Sequence, residues 1–194
     1  LDSSEPSETS QVYSEPILIT SRAGEPNQYS AVESIAADWN QPESDVFKAT
    51  VVRAKVINKH TSSTSATITH TYFIGPDIAD RYTLPVLSLV ADPEGLFDKN
   101  SGIYVLGESY AELKDSDLTE DEKQLAANFN QRGREWERPI HIEFFENGGQ
   151  SIFSQNGGVR IHGGGSRRNP QKSLRIYARS EYDLQEFFEY PLFT

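Results

Sequence analysis

The sequence predicts an α+β chain in two parts: a small β-sandwich over residues 1–76, then a mixed-strand region over 80–194 that carries one surface helix. Three observations lead there. Short β-type runs separated by dense turn punctuation fill the chain up to Gly75. The texture changes after Gly75-Pro76, where continuous apolar strand-length runs begin. One segment, opening at Thr119, carries a full helix-start signal.

In the first part the polar stretches LDSSEPSETSQ, SRAGEPNQ and NQPESD mark turns. Between them, residues 15–20 (EPILIT), 48–57 (KATVVRAKVI) and 66–74 (ATITHTYFI) read as strands. In the second of these, alternation sets Val52, Ala54 and Val56 on an expected core face and Arg53 and Lys55 on the other. Residues 32–39 read as a helical turn or an irregular loop, and 77–82 as a linker.

In the second part, residues 84–90 (LPVLSLV) form an apolar run expected to be buried on both faces. Residues 91–101 read as a turn-rich loop, 102–106 (GIYVL) as a short strand, and 108–117 as a polar, mobile stretch. Thr119-Glu-Asp-Glu122 fits a capping box, and its three acids suit the positive end of a helix. Leu118, Leu125 and Phe129 are expected on the buried face, and Gly133 as the stop. Three more strands are expected at 138–146, 158–162 and 173–179, with turns at 147–149 and 156–158. The aromatic C-terminus, EFFEYPLFT, reads as a chain cut inside or at the edge of a larger domain.

A 194-residue chain with 36% hydrophobic and 11% aromatic residues can bury a core, so its acidity does not make it disordered. The formal net charge of −11 argues against a general nucleic-acid binder, because a phosphate backbone needs a basic surface. No run of residues is long and apolar enough to predict a membrane span, and the absence of cysteine removes disulfides and thiolate metal sites. Within this acidic chain, residues 151–179 hold six Arg or Lys and no Asp or Glu. At the centre lie Gly163, Gly164 and Gly165, followed by Ser166 and Arg167.

Alternation puts Val159 and Ile161 opposite Arg160 and His162, and Leu174, Ile176 and Ala178 opposite Arg175, Tyr177 and Arg179. Pairing these strands gives a hairpin with an apolar underside and a cationic upper side. The backbone N–H groups of Gly163, Gly164, Gly165 and Ser166 could cradle a phosphate, with Arg167 or Lys172 supplying charge. The same residues also fit a wide turn whose cations form a solvated face balancing acids such as Glu143 and Glu146. The loop lacks the Gly-Lys-Ser/Thr spacing of a P-loop.

Elsewhere the signals are weaker. His60, His70, His141 and His162 form no ligand-type spacing and read as partly exposed strand residues. Asp98-x-Asn100-x-Gly102 starts like a calcium loop but has Ser109 at the twelfth position, where the loop needs Glu, so a turn explains it. Trp136 reads as an anchor between helix and sheet. Trp39 reads as core, with glycan stacking as the competing role.

Two stretches resemble known families. LDSSEPSETSQVYSEPILI resembles the YTLDGSEP…YxGPI signature of the chitobiase/β-hexosaminidase C-terminal-like module, with Ser3-Ser4 where Gly-Ser is usual. That resemblance implies a small immunoglobulin-like β-sandwich, incomplete at its start, with possible glycan contact and no catalysis of its own. LPVLSLVADPEGLFDKNSGIYVLG, WERPIHIEFFE and GVRIHGGGSRRNPQKSLRIYAR together resemble the front of the CotH kinase family of spore-coat and surface proteins. The matching pattern is Gly165-Ser166-Arg167 followed by Pro170-Gln171-Lys172-Ser173.

This second resemblance implies an atypical protein kinase in the intact protein, using ATP and Mg2+ to modify a protein Ser or Thr. It also implies a secreted, cell-surface or spore-coat location, with cell-wall or spore-coat contacts. The family's metal-binding and catalytic carboxylates lie downstream of this pattern, so no catalytic or metal-binding residue is assigned in this chain. The alternative is a non-catalytic surface scaffold or adhesion protein.

Overall fold

The computed structural model describes residues 3–147 and 149–190. The fold is α+β with two antiparallel sheets. The first pairs β1 (Thr50–Ala54) with β2 (Ile68–Tyr72). The second has the order β3 (Val86–Ala91), β4 (Arg138–Phe145), β5 (Ser151–His162), β6 (Ser173–Tyr177), every neighbour antiparallel. Four short α-helices are described: α1 (Ile78–Arg81), α2 (Pro93–Phe97), α3 (Glu108–Glu112) and α4 (Glu120–Leu125).

The core belongs to the second sheet. Ala91, Ile140, Ile142, Phe153, Val159 and Ile161 bury one face of it against Ile103, Ala127 and Phe129 from the loops between β3 and β4. Residues 102–106, expected as a strand, make this contact without one. Ile103 N–H donates to Gly95 O at 3.0 Å, Tyr104 N–H to Leu96 O at 2.9 Å, and Phe129 N–H to Val105 O at 3.2 Å. Local carbonyls thus satisfy a buried irregular backbone.

Several other expectations change. β3 is an edge strand, with Leu87 exposed, so it is not buried on both faces. Residues 91–101 contain α2, capped by Asp92, which accepts from Glu94 N–H at 2.9 Å. The polar stretch after Gly107 contains α3, and the linker at 77–82 contains α1. The capping box of α4 is present, Thr119 and Glu122 bonding each other's backbone. Its buried residue, however, is Gln124, while Leu125 and Leu118 are exposed and only Phe129 reaches the core. α4 ends at Leu125 and gives way to a 3-10 turn at Asn128–Asn130, well before Gly133.

Asn156-Gly157-Gly158 is not a turn but the middle of β5. Gly is needed there for close approach: a Cβ at Gly157 would lie 2.8 Å from Tyr177 O, and one at Gly158 2.6 Å from a Glu137 carboxylate oxygen. The turn between β4 and β5 is where the sequence puts it, although Gly148 lies outside the described residues. At the C-terminus Phe188 and Tyr190 pack onto Phe153 and Phe144. Leu192 and Phe193 lie outside the described residues, as does Leu1, on which the expectation of an incomplete start falls.

Residues 3–76 contain one strand pair and little apolar core. Residues 15–20 are extended but unpaired, with Ile17 and Leu18 exposed, as are Ala54 and Val56 from the expected core face of β1. The buried side chains of β1 and β2 are Thr50, Thr69 and Thr71. This region leans on the second sheet instead. Glu143 of β4 is buried and accepts from Thr71 N–H at 2.7 Å, with His70 Nδ1 3.2 Å away. Phe73 meets Phe145 edge to face at 5.2 Å, and Phe47 and Tyr82 pack around Phe73.

Candidate functional site

The β5–β6 hairpin has the two faces that alternation predicts. Its register pairs Val159 with Ile176 and Ile161 with Leu174 on one face, where Leu174 stays exposed, and Arg160 with Arg175 on the other. Like charges directly opposite each other destabilise a ladder, so the Arg160–Arg175 pair opposes folding rather than assisting it. Arg160 lies over the Tyr177 ring at 4.3 Å and donates to its hydroxyl. Arg175 donates to His162 Nε2, which fixes that nitrogen as an acceptor.

These groups line a groove of about 330 Å³ together with Arg132, Gly133, Gly163 and Arg167. No carboxylate is among its lining residues. Among the described residues neither Arg132 nor Arg175 makes an ion pair with an acid. One acid stands at the end of the groove: Glu137, buried, takes two bonds from Arg179 at 2.8 and 3.1 Å and one from Tyr182 at 3.1 Å, with Arg160 Nε 3.4 Å away. Burial alone would raise the Glu137 carboxyl, but the bonds from Arg179 and Tyr182 and the charges of Arg179 and Arg160 outweigh it and hold the group below its ordinary value.

The residues expected to hold phosphate divide in two. Gly164, Gly165 and Ser166 are exposed at the tip of the loop, with open space around both glycines. Gly163 has φ +112, a conformation only glycine takes easily, and it starts the reversal that brings the chain back. Residues Gly165–Arg168 then form a 3-10 turn.

Arg167 and Lys172 point into the protein. Arg167 is buried, and its guanidinium donates to Gly163 O at 2.8 Å, Phe129 O at 2.8 Å, Gln131 O at 3.0 Å and Ile161 O at 2.7 Å. Burial, then the nearby Arg132 and Arg160 charges, lower its affinity for the proton. Lys172 is also buried; its ammonium donates to Ile35 O at 2.8 Å and Asn169 O at 2.9 Å and sits 4.0 Å from the Phe129 ring centre. Burial pushes it down to about 8. Both cations are therefore engaged by backbone oxygens.

Sequence reasoning alone thus does not reveal that Arg167 and Lys172 are held by backbone oxygens. Period two marks Arg160 and Arg175 as outer-face cations, which is a usable signal. Arg132 comes from a loop and has no periodic signal; only the fold brings it to Gly163 O, 3.5 Å from its Nη2.

The remaining candidates are structural. His141 is buried, not partly exposed, with Nδ1 2.8 Å from Asn156 Oδ1 and Nε2 3.0 Å from Ser154 Oγ. Asp98 accepts from the N–H groups of Asn100 and Ser101 at 2.8 and 2.9 Å, which lowers its proton affinity and makes the segment an Asx-type turn. Trp136 packs against the core cluster. Trp39 is half-buried, and its enclosed indole N–H has no hydrogen-bond partner among the described residues. Among the described residues no helix is long and apolar enough to cross a membrane.

Comparison with curated proteins and with solved structures gives no significant match. A family model described as Fn3 associated matches residues 1–72. The matched family is not the chitobiase/β-hexosaminidase module that the opening residues resemble, and residues 73–194 lie outside the match. The finding supports a β-sandwich-like associated module in front of the sheet that carries the arginine groove.

Proposed function

We propose that the outer-face groove is a phosphate-binding site. On this reading the chain is the leading part of a CotH-like protein that transfers a phosphoryl group from Mg-ATP to a protein Ser or Thr at a cell surface or spore coat. The observation that carries the proposal is the cross-strand position of Arg160 and Arg175, opposite each other in the ladder beside Arg132, in a groove none of whose lining residues is a carboxylate. Such an arrangement is electrostatically costly when empty and favourable around a multiply charged oxyanion. The CotH-type residues around Gly165 and Lys172 support the assignment to phosphoryl chemistry, with Arg167 and Lys172 also bonded to backbone oxygens.

A second reading, a non-catalytic surface scaffold, is favoured by that same enclosure of Arg167 and Lys172, the two cations closest to the family pattern. One experiment separates them. Inorganic pyrophosphate should raise the thermal midpoint of the chain, and Arg160→Met with Arg175→Met should abolish the rise. The intact protein should then transfer label from γ-labelled Mg-ATP to Ser or Thr. Pyrophosphate binding without transfer selects the scaffold; no pyrophosphate effect removes the groove from either role.

A further inference from the structure

The groove's walls say what the phosphate is attached to. A nucleotide site needs a slot or an aromatic face for the base. Here the aromatic rings are Tyr177 and the His162 imidazole; Tyr177 already has Arg160 at 4.3 Å and Arg179 at 4.8 Å from its centre, and His162 Nε2 takes a bond from Arg175. Apart from Ile161 the lining is polar, charged or glycine. The site is therefore built for the oxyanion and not for a base.

Beside it runs a free sheet edge. Among the described residues β6 is the last strand of its sheet and pairs with β5 alone, and Ser173, Leu174 and Arg175 along it are exposed. The N–H and C=O groups of an edge strand that point away from its neighbour accept an extended chain. Resting on the phosphate-site reading above, we propose that the groove holds a phosphorylated Ser or Thr of a protein segment that adds to the β6 edge. Arg175, in the middle of β6 and opposite Arg160 in the ladder, stands on the face from which alternate side chains of an added strand would also project. Charge complementarity selects the partner: a dianionic side chain against three arginines with no acid lining the groove.

The test uses the 194-residue chain and a labelled, extended peptide with one phosphoserine, read by fluorescence anisotropy. The phosphopeptide should bind at least about tenfold tighter than its unphosphorylated twin, because charge-assisted bonds to arginine are lost in the twin. Arg160→Met with Arg175→Met should remove the difference. Backbone N-methylation of the peptide on either side of the phosphoserine should weaken binding while leaving its charge unchanged. As competitors, ATP and inorganic tripolyphosphate should be equivalent.

Four outcomes overturn the inference. ATP displacing the peptide much better than tripolyphosphate means that a base is recognised. Free phosphoserine binding as tightly as the peptide, or an inert N-methyl series, means that the edge is unused. A short RNA outcompeting tripolyphosphate means that the polyanion is nucleic acid. Failure of every phosphate, pyrophosphate included, is different: it sinks the phosphate-site reading itself.

Discussion

On the inner side of the β5–β6 hairpin, Arg167 and Lys172 are buried and hydrogen-bonded to carbonyl oxygens of residues as distant as Ile35 and Phe129. On the outer side, Arg160 and Arg175 stand opposite each other in the ladder and line a groove that the buried Arg167 also borders. The two pairs lie within one short basic segment, and composition does not tell them apart. Inner cations satisfy backbone acceptors that would otherwise be orphaned, so they contribute to stability. Outer cations repel each other and contribute to binding. The division makes quantitative demands on substitutions.

The largest effect is expected at Arg167. Arg167→Met keeps much of the side chain's length but withdraws the donors from Gly163, Phe129, Gln131 and Ile161 oxygens. Losing several bonds to one charged group should cost about 3 kcal/mol in urea unfolding. A loss no larger than that of an ordinary surface substitution would erase the inner–outer distinction.

Lys172→Met comes next, at about 2 kcal/mol, since Ile35 O and Asn169 O lose their donor while packing on Phe129 is retained. The contact also ties residue 35 to the second sheet, so proteolysis of the 3–76 region should quicken. The pH dependence has a definite sign. The folded-state value of about 8 lies below the ordinary 10.5, so between them the unfolded chain binds a proton that the folded chain does not. Stability from this group therefore rises from pH 8 towards 10.5 and is lost as pH falls through 8. Subtracting the Lys172→Met profile from the parent's isolates that rise from the titration of other lysines and tyrosines.

Glu137 sits at the boundary between the two sides. Glu137→Gln keeps the shape but weakens the hold on Arg179 and Tyr182, for a loss of about 1.5 kcal/mol near neutral pH. Its folded-state value is below the ordinary 4.5, so its stabilisation is complete above 4.5 and disappears as pH falls through the folded value. The variant should show a shallower loss of stability in acid, checked by denaturation at stepped pH. The same change releases Arg160 from its neighbouring carboxylate, so phosphate affinity should rise while stability falls.

How much of this was legible in sequence depends on whether a regular period applied. Strand alternation separated Val159, Ile161 and Ile176 from Arg160 and Arg175, because side-chain direction in a ladder follows from parity alone; Leu174 shares the first face but stays exposed. The Thr119 capping box was legible for a similar reason, its bonds spanning three residues. The direction of Arg167 was not, since it hangs on Gly163 at φ +112 and a 3-10 turn. The Gly157-Gly158 pair, read as a turn, proved to be a close approach inside β5, a difference set by Glu137 and Tyr177 far away in sequence. In the 3–76 region the strand pattern was present, but residues 15–20 form no strand and leave Ile17 and Leu18 exposed.

Arg175→Met should have the smallest effect on folding, and that smallness is what makes it informative. Arg175 is exposed and contacts His162, not a carboxylate, and Arg160 stands directly across the ladder. Its removal should change stability by no more than about 0.5 kcal/mol, and in the stabilising direction, because a like-charge pair is relieved. Salt sharpens the test: added sodium chloride screens the pair, so the small gain should shrink as ionic strength rises. A residue that costs stability to keep and nothing to lose has its reason elsewhere. If Arg175→Met is instead as damaging as Arg167→Met, the outer arginines are structural too, and the groove loses its claim to a ligand.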